Sequence, residues 1–126
     1  MKIILSNINK IPIYEQLEIQ IRDQILDGSL ESGLMLPSIR KLARDLGISV
    51  ITIKRAYDDL ESEGYIHTMA GKGSFITSQS IEQLRDKKMV LSELELERVI
   101  KDMKQLGLSR ERLDETISLL WKDDEE

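Results

Sequence analysis

Between Ser38 and Gly64 the chain carries two short amphipathic stretches, each opened by a serine and closed by a glycine, with Ile48 alone separating Gly47 from Ser49. In the first stretch Ile39, Leu42, Ala43 and Leu46 recur at helical spacing, and in the second Ile53, Ala56, Tyr57 and Leu60 do so. A serine hydroxyl can accept from the bare N–H groups at a helix start, and glycine adopts the left-handed conformation that ends a helix. Two short helices across a glycine-containing turn are the signature of a helix-turn-helix.

The flanks fit around that centre. Pro12 suits a first helical turn, and Tyr14, Leu17, Ile21 and Ile25 then predict an amphipathic helix from about Pro12 to Asp27, stopped by Gly28. Ser29 to Pro37 is a connection in which Leu34-Met35-Leu36 can pair as a short strand with a later segment. Tyr65 to Met69 reads as a strand, Ala70-Gly71-Lys72-Gly73 as a tight turn, and Ser74 to Thr77 as the returning strand. After Thr77 a long charged helix carries Leu84, Leu91, Leu94, Met103 and Leu106 up to Gly107. Ser109 then caps a last helix with Leu113, Ile117, Leu120 and Trp121, before the acidic run Asp123-Asp124-Glu125-Glu126. Leu96, Val99 and Ile100 share no single stripe with Leu84 and Leu91, so the long helix needs two partners: the last helix folded back, and a second copy of the chain.

Composition narrows the function. With 126 residues, no cysteine and one histidine, the chain offers no disulfide framework, zinc finger, thiol nucleophile or credible transition-metal site, and no cofactor is expected. No apolar run exceeds three residues, so neither a membrane span nor a signal peptide can be drawn and the cytoplasm is the default compartment. The net charge of -5 speaks against nucleic acid until it is resolved along the chain. Between Arg40 and Arg55 there are five cations and one anion, which suits one anion-binding face on a chain that is otherwise acidic.

With Ile53 pointing inward, Ile51, Lys54, Arg55 and Asp58 point outward from the third helix, and Val50 and Thr52 flank its start. A recognition helix meets the major groove with its first turn. Methyl groups there can contact thymine, hydroxyls can reach base edges or phosphates, and cations can address guanine. Arg40, one turn from Arg44, can reach a phosphate, and Lys72 between two glycines can meet a phosphate or the minor groove. Ordinary surface roles remain open for each: Val50 and Ile51 as partly buried residues, Arg40 as a solvated arginine, Lys72 as a common turn lysine. His67 reads as structural, the methionines as core filler, and Trp121 as an interface anchor or as packing on the long helix.

Pro12-Ile13-Tyr14, Leu36-Pro37-Ser38-Ile39-Arg40-Lys41-Leu42-Ala43, Gly47-Ile48-Ser49, Thr52-Ile53-Lys54-Arg55-Ala56-Tyr57, Leu60, Glu63-Gly64 and Gly71-Lys72-Gly73-Ser74-Phe75-Ile76 occur in an order and spacing that resemble the winged helix-turn-helix of the GntR family of bacterial transcription regulators. The resemblance covers about Pro12 to Thr77, and the remaining helices look like the two-helix dimerisation element of its small YtrA-like subfamily. It implies DNA contacts from Arg40, from Ser49, Val50, Ile51, Thr52, Lys54 and Arg55 on the recognition helix, and from Gly71 and Lys72 in the wing. The family often has Ser-Arg-Thr-Thr where this chain has Ser49-Val50-Ile51-Thr52, which favours apolar contact with thymine over a guanine contact.

The resulting expectation is a mostly α fold with a small β-hairpin: residues 1–78 a winged helix-turn-helix DNA-binding domain, and residues 79–126 a helical dimerisation region using Leu91, Leu94, Val99, Met103, Leu106 and Trp121. The function expected is that of a homodimeric regulator, a repressor on a palindromic operator in double-stranded DNA. A small-molecule effector, if there is one, would sit at the dimer interface or beside the DNA-binding domain. A protein-docking winged helix and, more distantly, a small enzyme are the other classes.

Overall fold

In the computed structural model, which describes residues 1–79 and 81–122, the first apolar periodicity forms α1 (Ile13–Leu26). The acidic run Asp123 to Glu126 lies outside the described residues. Pro12 is the N-cap, and its carbonyl accepts from the Gln16 N–H at 3.0 Å, so the helix begins one residue later than the proline suggests. Two short helices follow, α2 (Ile39–Leu46) and α3 (Val50–Ser62). Ser38 accepts from the Lys41 N–H at 3.1 Å and Ser49 from the Thr52 N–H at 3.2 Å, which satisfies one bare donor at each helix start. Gly47 closes α2 at φ 67, and an added Cβ there would meet nothing within 4 Å, so the requirement for glycine is conformational and not steric.

Strands β1 (Ile66–Met69) and β2 (Gly73–Ile76) pair antiparallel, with Ile66 opposite Ile76 and Met69 opposite Gly73. The Leu34–Leu36 segment lies along the free edge of β2. Leu36 N–H donates to Ser74 O and Ile76 N–H to Leu34 O, each at 2.8 Å, with Met35 bridged to Phe75. One core unites these elements: Leu17, Ile21 and Ile25 of α1, Leu30, Leu36, Leu42 and Ala43, Ile53, Ala56, Tyr57 and Leu60 of α3, then Tyr65, Ile66, Ile76 and Leu84.

Two further helices complete the architecture, α4 (Ile81–Gln105) and α5 (Arg110–Lys122). The chain divides into two compact units, Met1–Asp86 and Lys87–Glu126. This division falls inside α4 and not at the composition change after residue 78, because Leu84 is buried with the first unit and the Arg85 guanidinium donates to the Leu26 carbonyl. In the second unit Leu91, Leu94, Leu96, Val99, Leu106, Leu119, Leu120 and Trp121 are exposed, while Ile100, Met103 and Leu113 are half-buried. Among the described residues no helix is long and apolar enough to cross a membrane.

The first eleven residues hold a feature that periodicity does not reveal. Residues 1–6 run alongside α1, fastened by three of its glutamines, before the chain bends back over residues 7–11. Gln24 accepts from Lys2 N–H and donates to Lys2 O, Gln20 does the same for Ile4, and Gln16 for Ser6. A primary amide offers one acceptor and a donor side by side, which is the pattern a peptide unit needs. Residues four apart on a helix rise about 6 Å, close to the two-residue repeat of an extended chain at roughly 6.6 Å. Gln16, 6 % exposed, also donates to Ile11 O at 2.7 Å. Replacing Gln16 with alanine is expected to lower unfolding free energy by about 1–3 kcal/mol, against less than about 1 kcal/mol for the more exposed Gln20. Urea unfolding measures both, and amide exchange at Ser6 should quicken only in the Gln16 variant.

Candidate nucleic-acid interface

The first turn of α3 is dressed for contact. Ile51 is 80 % exposed and Val50 46 %, while Ile53, two residues on, is completely buried. The buried stripe begins at Ile53, so the apolar residues before it have no place in the core. Beside them the Ser49 and Thr52 hydroxyls are 2.7 Å apart, with Thr52 half-buried, so these two groups are already bonded to each other.

The outward cations differ in their engagements. Lys54 is paired with Asp58 at 2.7 Å and Lys41 with Asp45 at 2.6 Å, both exposed i,i+4 pairs of small individual strength. The Lys41 hydrogen bond holds the Asp45 carboxyl below its ordinary value. Arg55, expected at the DNA, lies with its guanidinium 3.8 Å from the Tyr14 ring centroid and 3.9 Å from Asp59. That stacking ties α3 to α1. Arg40 and Lys72 make no ion pair among the described residues.

Arg40 and Lys72 are thirty-two positions apart in sequence, yet they line one cleft of about 330 Å³. Its walls are the Met35–Ile39 entry to α2 and the wing residues Thr68, Gly73 and Ser74, with Tyr57 also contributing. The tip of the wing is a turn closed by Lys72 N–H to Met69 O at 2.9 Å, with Gly71 at φ 75. Tyr57 is 3 % exposed and donates from its hydroxyl to Pro37 O at 2.8 Å; burial pushes its phenol well above the ordinary value, so it stays a neutral donor. Thr68 and Ser74, with hydroxyls 3.0 Å apart, had no sequence signal as site residues, since only strand register places them together. In the second unit Ile100, Lys104, Leu108, Leu113 and Ile117 line an open cleft of about 370 Å³, at the small end of ligand-sized pockets.

Residues 13–76 match the family described as bacterial regulatory proteins, gntR family. The chain belongs to the GntR family. It is 35% identical over 112 residues to the HTH-type transcriptional repressor YtrA of Bacillus subtilis, covering 89% of this chain and 86% of that protein. A crystal structure described as a transcriptional antiterminator from Listeria monocytogenes superposes with a TM-score of 0.72 at 30% identity, covering 98% of this chain and 92% of the other. The DNA-binding domain of AraR in complex with its operator ORE1 gives a TM-score of 0.51 at 27% identity, over 61% of this chain and 94% of that domain. The five helices and two-stranded antiparallel sheet are the GntR winged-helix arrangement. This GntR chain is a DNA-binding transcription regulator and not an enzyme.

Because Arg55 packs on Tyr14 and Arg40 packs on nothing charged, the two arginines should separate in a stability assay. Arg55→Ala is expected to cost about 0.5–1 kcal/mol, the value of an exposed cation–π contact, whereas Arg40→Ala and Lys72→Ala should leave the melting temperature in place. Thermal unfolding without DNA checks this.

Proposed function

We propose that this GntR regulator is a homodimeric repressor that binds a palindromic operator, with the first turn of α3 in the major groove and the wing in the minor groove. The observation that carries this reading is the bare first turn of α3 in the same domain as a cleft flanked by two uncommitted cations, Arg40 and Lys72. Val50 and Ile51 would meet thymine methyl groups, the Ser49–Thr52 pair and Lys54 would reach base edges or phosphates, and Gly71 would let the wing backbone approach the minor groove. The naming of the Bacillus relative as a repressor supports the direction of control, and such a protein acts in the cytoplasm, where the bacterial operator is.

The description of the Listeria neighbour as an antiterminator raises RNA as the other nucleic acid. The shape of the site favours DNA. An A-form duplex has a major groove too deep and narrow for a helix, and single-stranded RNA is read by stacking on aromatic rings, which the first turn of α3 lacks.

Residues 1–78 would then carry DNA binding, with the first turn of α4 completing their core, and residues 79–126 would carry dimerisation. Leu91, Leu94, Val99, Leu106 and Trp121 are exposed and Met103 half-buried, and a two-fold partner would cover them with the same residues of its own.

Selection from random duplex DNA tests the reading. A palindrome with half-sites about 10 base pairs apart, or a multiple of that, is expected. Arg40→Ala and Lys72→Ala should weaken binding to every duplex and each lower the salt slope by about 1. Ile51→Ala and Thr52→Ala should instead alter preference at particular positions by about 1–3 kcal/mol. If all four variants bind like the parent, the DNA face lies elsewhere. Sedimentation should give a dimer at micromolar concentration and a monomer for Leu94→Asp; a monomeric parent would refute the role of the C-terminal helices.

A further inference from the structure

Glu18 lies on the buried side of α1 and is only 6 % exposed. Its natural partner is occupied elsewhere. Arg22, one turn on, donates from one guanidinium nitrogen to both Glu63 oxygens at 3.0 and 3.1 Å and sits 5.5 Å over the Tyr65 ring, leaving 3.9 Å to Glu18 Oε1. Glu18 Oε2 is buried without a hydrogen-bond partner. Arg55 of α3, held over Tyr14, is 3.9 Å from Asp59. Three carboxyl groups thus face two guanidinium groups across the α1–α3 packing, with Tyr14 and Tyr65 at its edges. A carboxylate buried with one bare oxygen and only a distant guanidinium is costly to keep ionised, and a proton on it removes that charge.

We infer that Glu18 holds a proton where α1 packs against the recognition helix α3, and that losing this proton weakens DNA binding. The inference takes α3 as the recognition helix from the functional reading above. Desolvation is the main cause that pushes the Glu18 carboxyl up, to about 8. The Asp59 hydrogen bond and charge and then the Glu63 charge add to it, against the pull of Arg22. An ionised Glu18 repels Asp59 and Glu63, which hold the second half of α3, while the first half of that helix is the part offered to DNA. Bound phosphates disfavour the extra negative charge further, so DNA and the proton bind together.

The folded chain keeps this proton up to about pH 8, whereas in the unfolded chain Glu18 releases it near the ordinary value of 4.5. Stability therefore falls as pH rises from about 4.5 to 8 and levels off above, while the change within the folded state centres on about 8. Glu18→Gln keeps the shape and carries no charge, so it imitates the protonated form at every pH.

The test uses the full chain and its Glu18→Gln variant, both with His67→Gln so that no imidazole is present. Carbon NMR of the Glu18 carboxyl should show a midpoint near 8; a midpoint near 4.5 overturns the buried proton whatever DNA does. Stability should fall from about pH 5 to 8 in the parent relative to the variant; parallel profiles also overturn the buried proton. Affinity for a mixed-sequence duplex at low salt should drop between pH 7 and 9 in the parent alone, by about tenfold for each unit by which DNA raises the Glu18 value. A Glu18 that titrates near 8 while both proteins bind alike across that range overturns the link to DNA and leaves the regulator reading intact.

Discussion

The packing of α3 is the constraint on which the first unit depends, since α1, α2 and β1 all pack against that one helix. Ile53, Ala56, Tyr57 and Leu60 are each at most 3 % exposed and together form the wall the other elements are built on. Burying one such large side chain contributes about 1.5–3 kcal/mol, and truncating one in a packed core costs more, because a cavity is left behind. The wall begins only at Ile53. Val50 and Ile51, in the turn before it, are exposed and take no part in that wall. One helix is therefore shared along its length between holding the domain together and offering a surface.

The wing is tied to that helix by a short chain of bonds. Its β2 strand carries Leu34–Leu36 on its edge, the next residue is Pro37, whose carbonyl accepts the Tyr57 hydroxyl, and the one after is Ser38, the cap of α2. Few torsions are free between the strand that carries the wing and the helix that carries Arg40. The separation of Arg40 and Lys72 across their cleft is thus set by backbone hydrogen bonds and one buried phenol, not by the flexible side chains themselves. Such a frame fixes the backbone that carries the two cations, which on the proposed reading lowers the ordering cost of meeting DNA.

Much of this could be read from the chain because its signals are local. Ser38, Gly47, Ser49 and Gly64 mark helix ends through contacts within a few residues, and the 3.6-residue stripes name the core side of each helix. The parts that escaped reading join distant positions. The glutamines at 16, 20 and 24 look like ordinary polar residues until an extended segment is laid antiparallel over them. Leu84 resembled the start of the exposed stripe of α4, yet it fills the first unit's core. Arg55 carried the same outward phase as Lys54, and only the crossing of α1 over α3 brings Tyr14 beneath it. Lys54 is the contrasting case, since its pairing with Asp58 is an i,i+4 relation visible in sequence.

That contrast bears on how an acidic chain presents a face to phosphate. Of the five cations between Arg40 and Arg55, Lys41 and Lys54 are neutralised by exposed aspartates and Arg55 by Asp59. Exposed pairs of the first kind are worth about 0–1 kcal/mol, so a lysine ammonium can leave its carboxylate for a phosphate while water replaces it at little cost. In the free protein the aspartates hold the lysines at the surface and limit repulsion among the cations; on the proposed reading they would let go on DNA. Arg55 differs, since its guanidinium rests on an aromatic face as well as beside Asp59, so an exchange there would also give up a cation–π contact worth about 0.5–1 kcal/mol. On the proposed reading the charge most readily offered to phosphate is that of Arg40, Arg44 and Lys72, joined by Lys41 and Lys54 at the loss of weak exposed pairs.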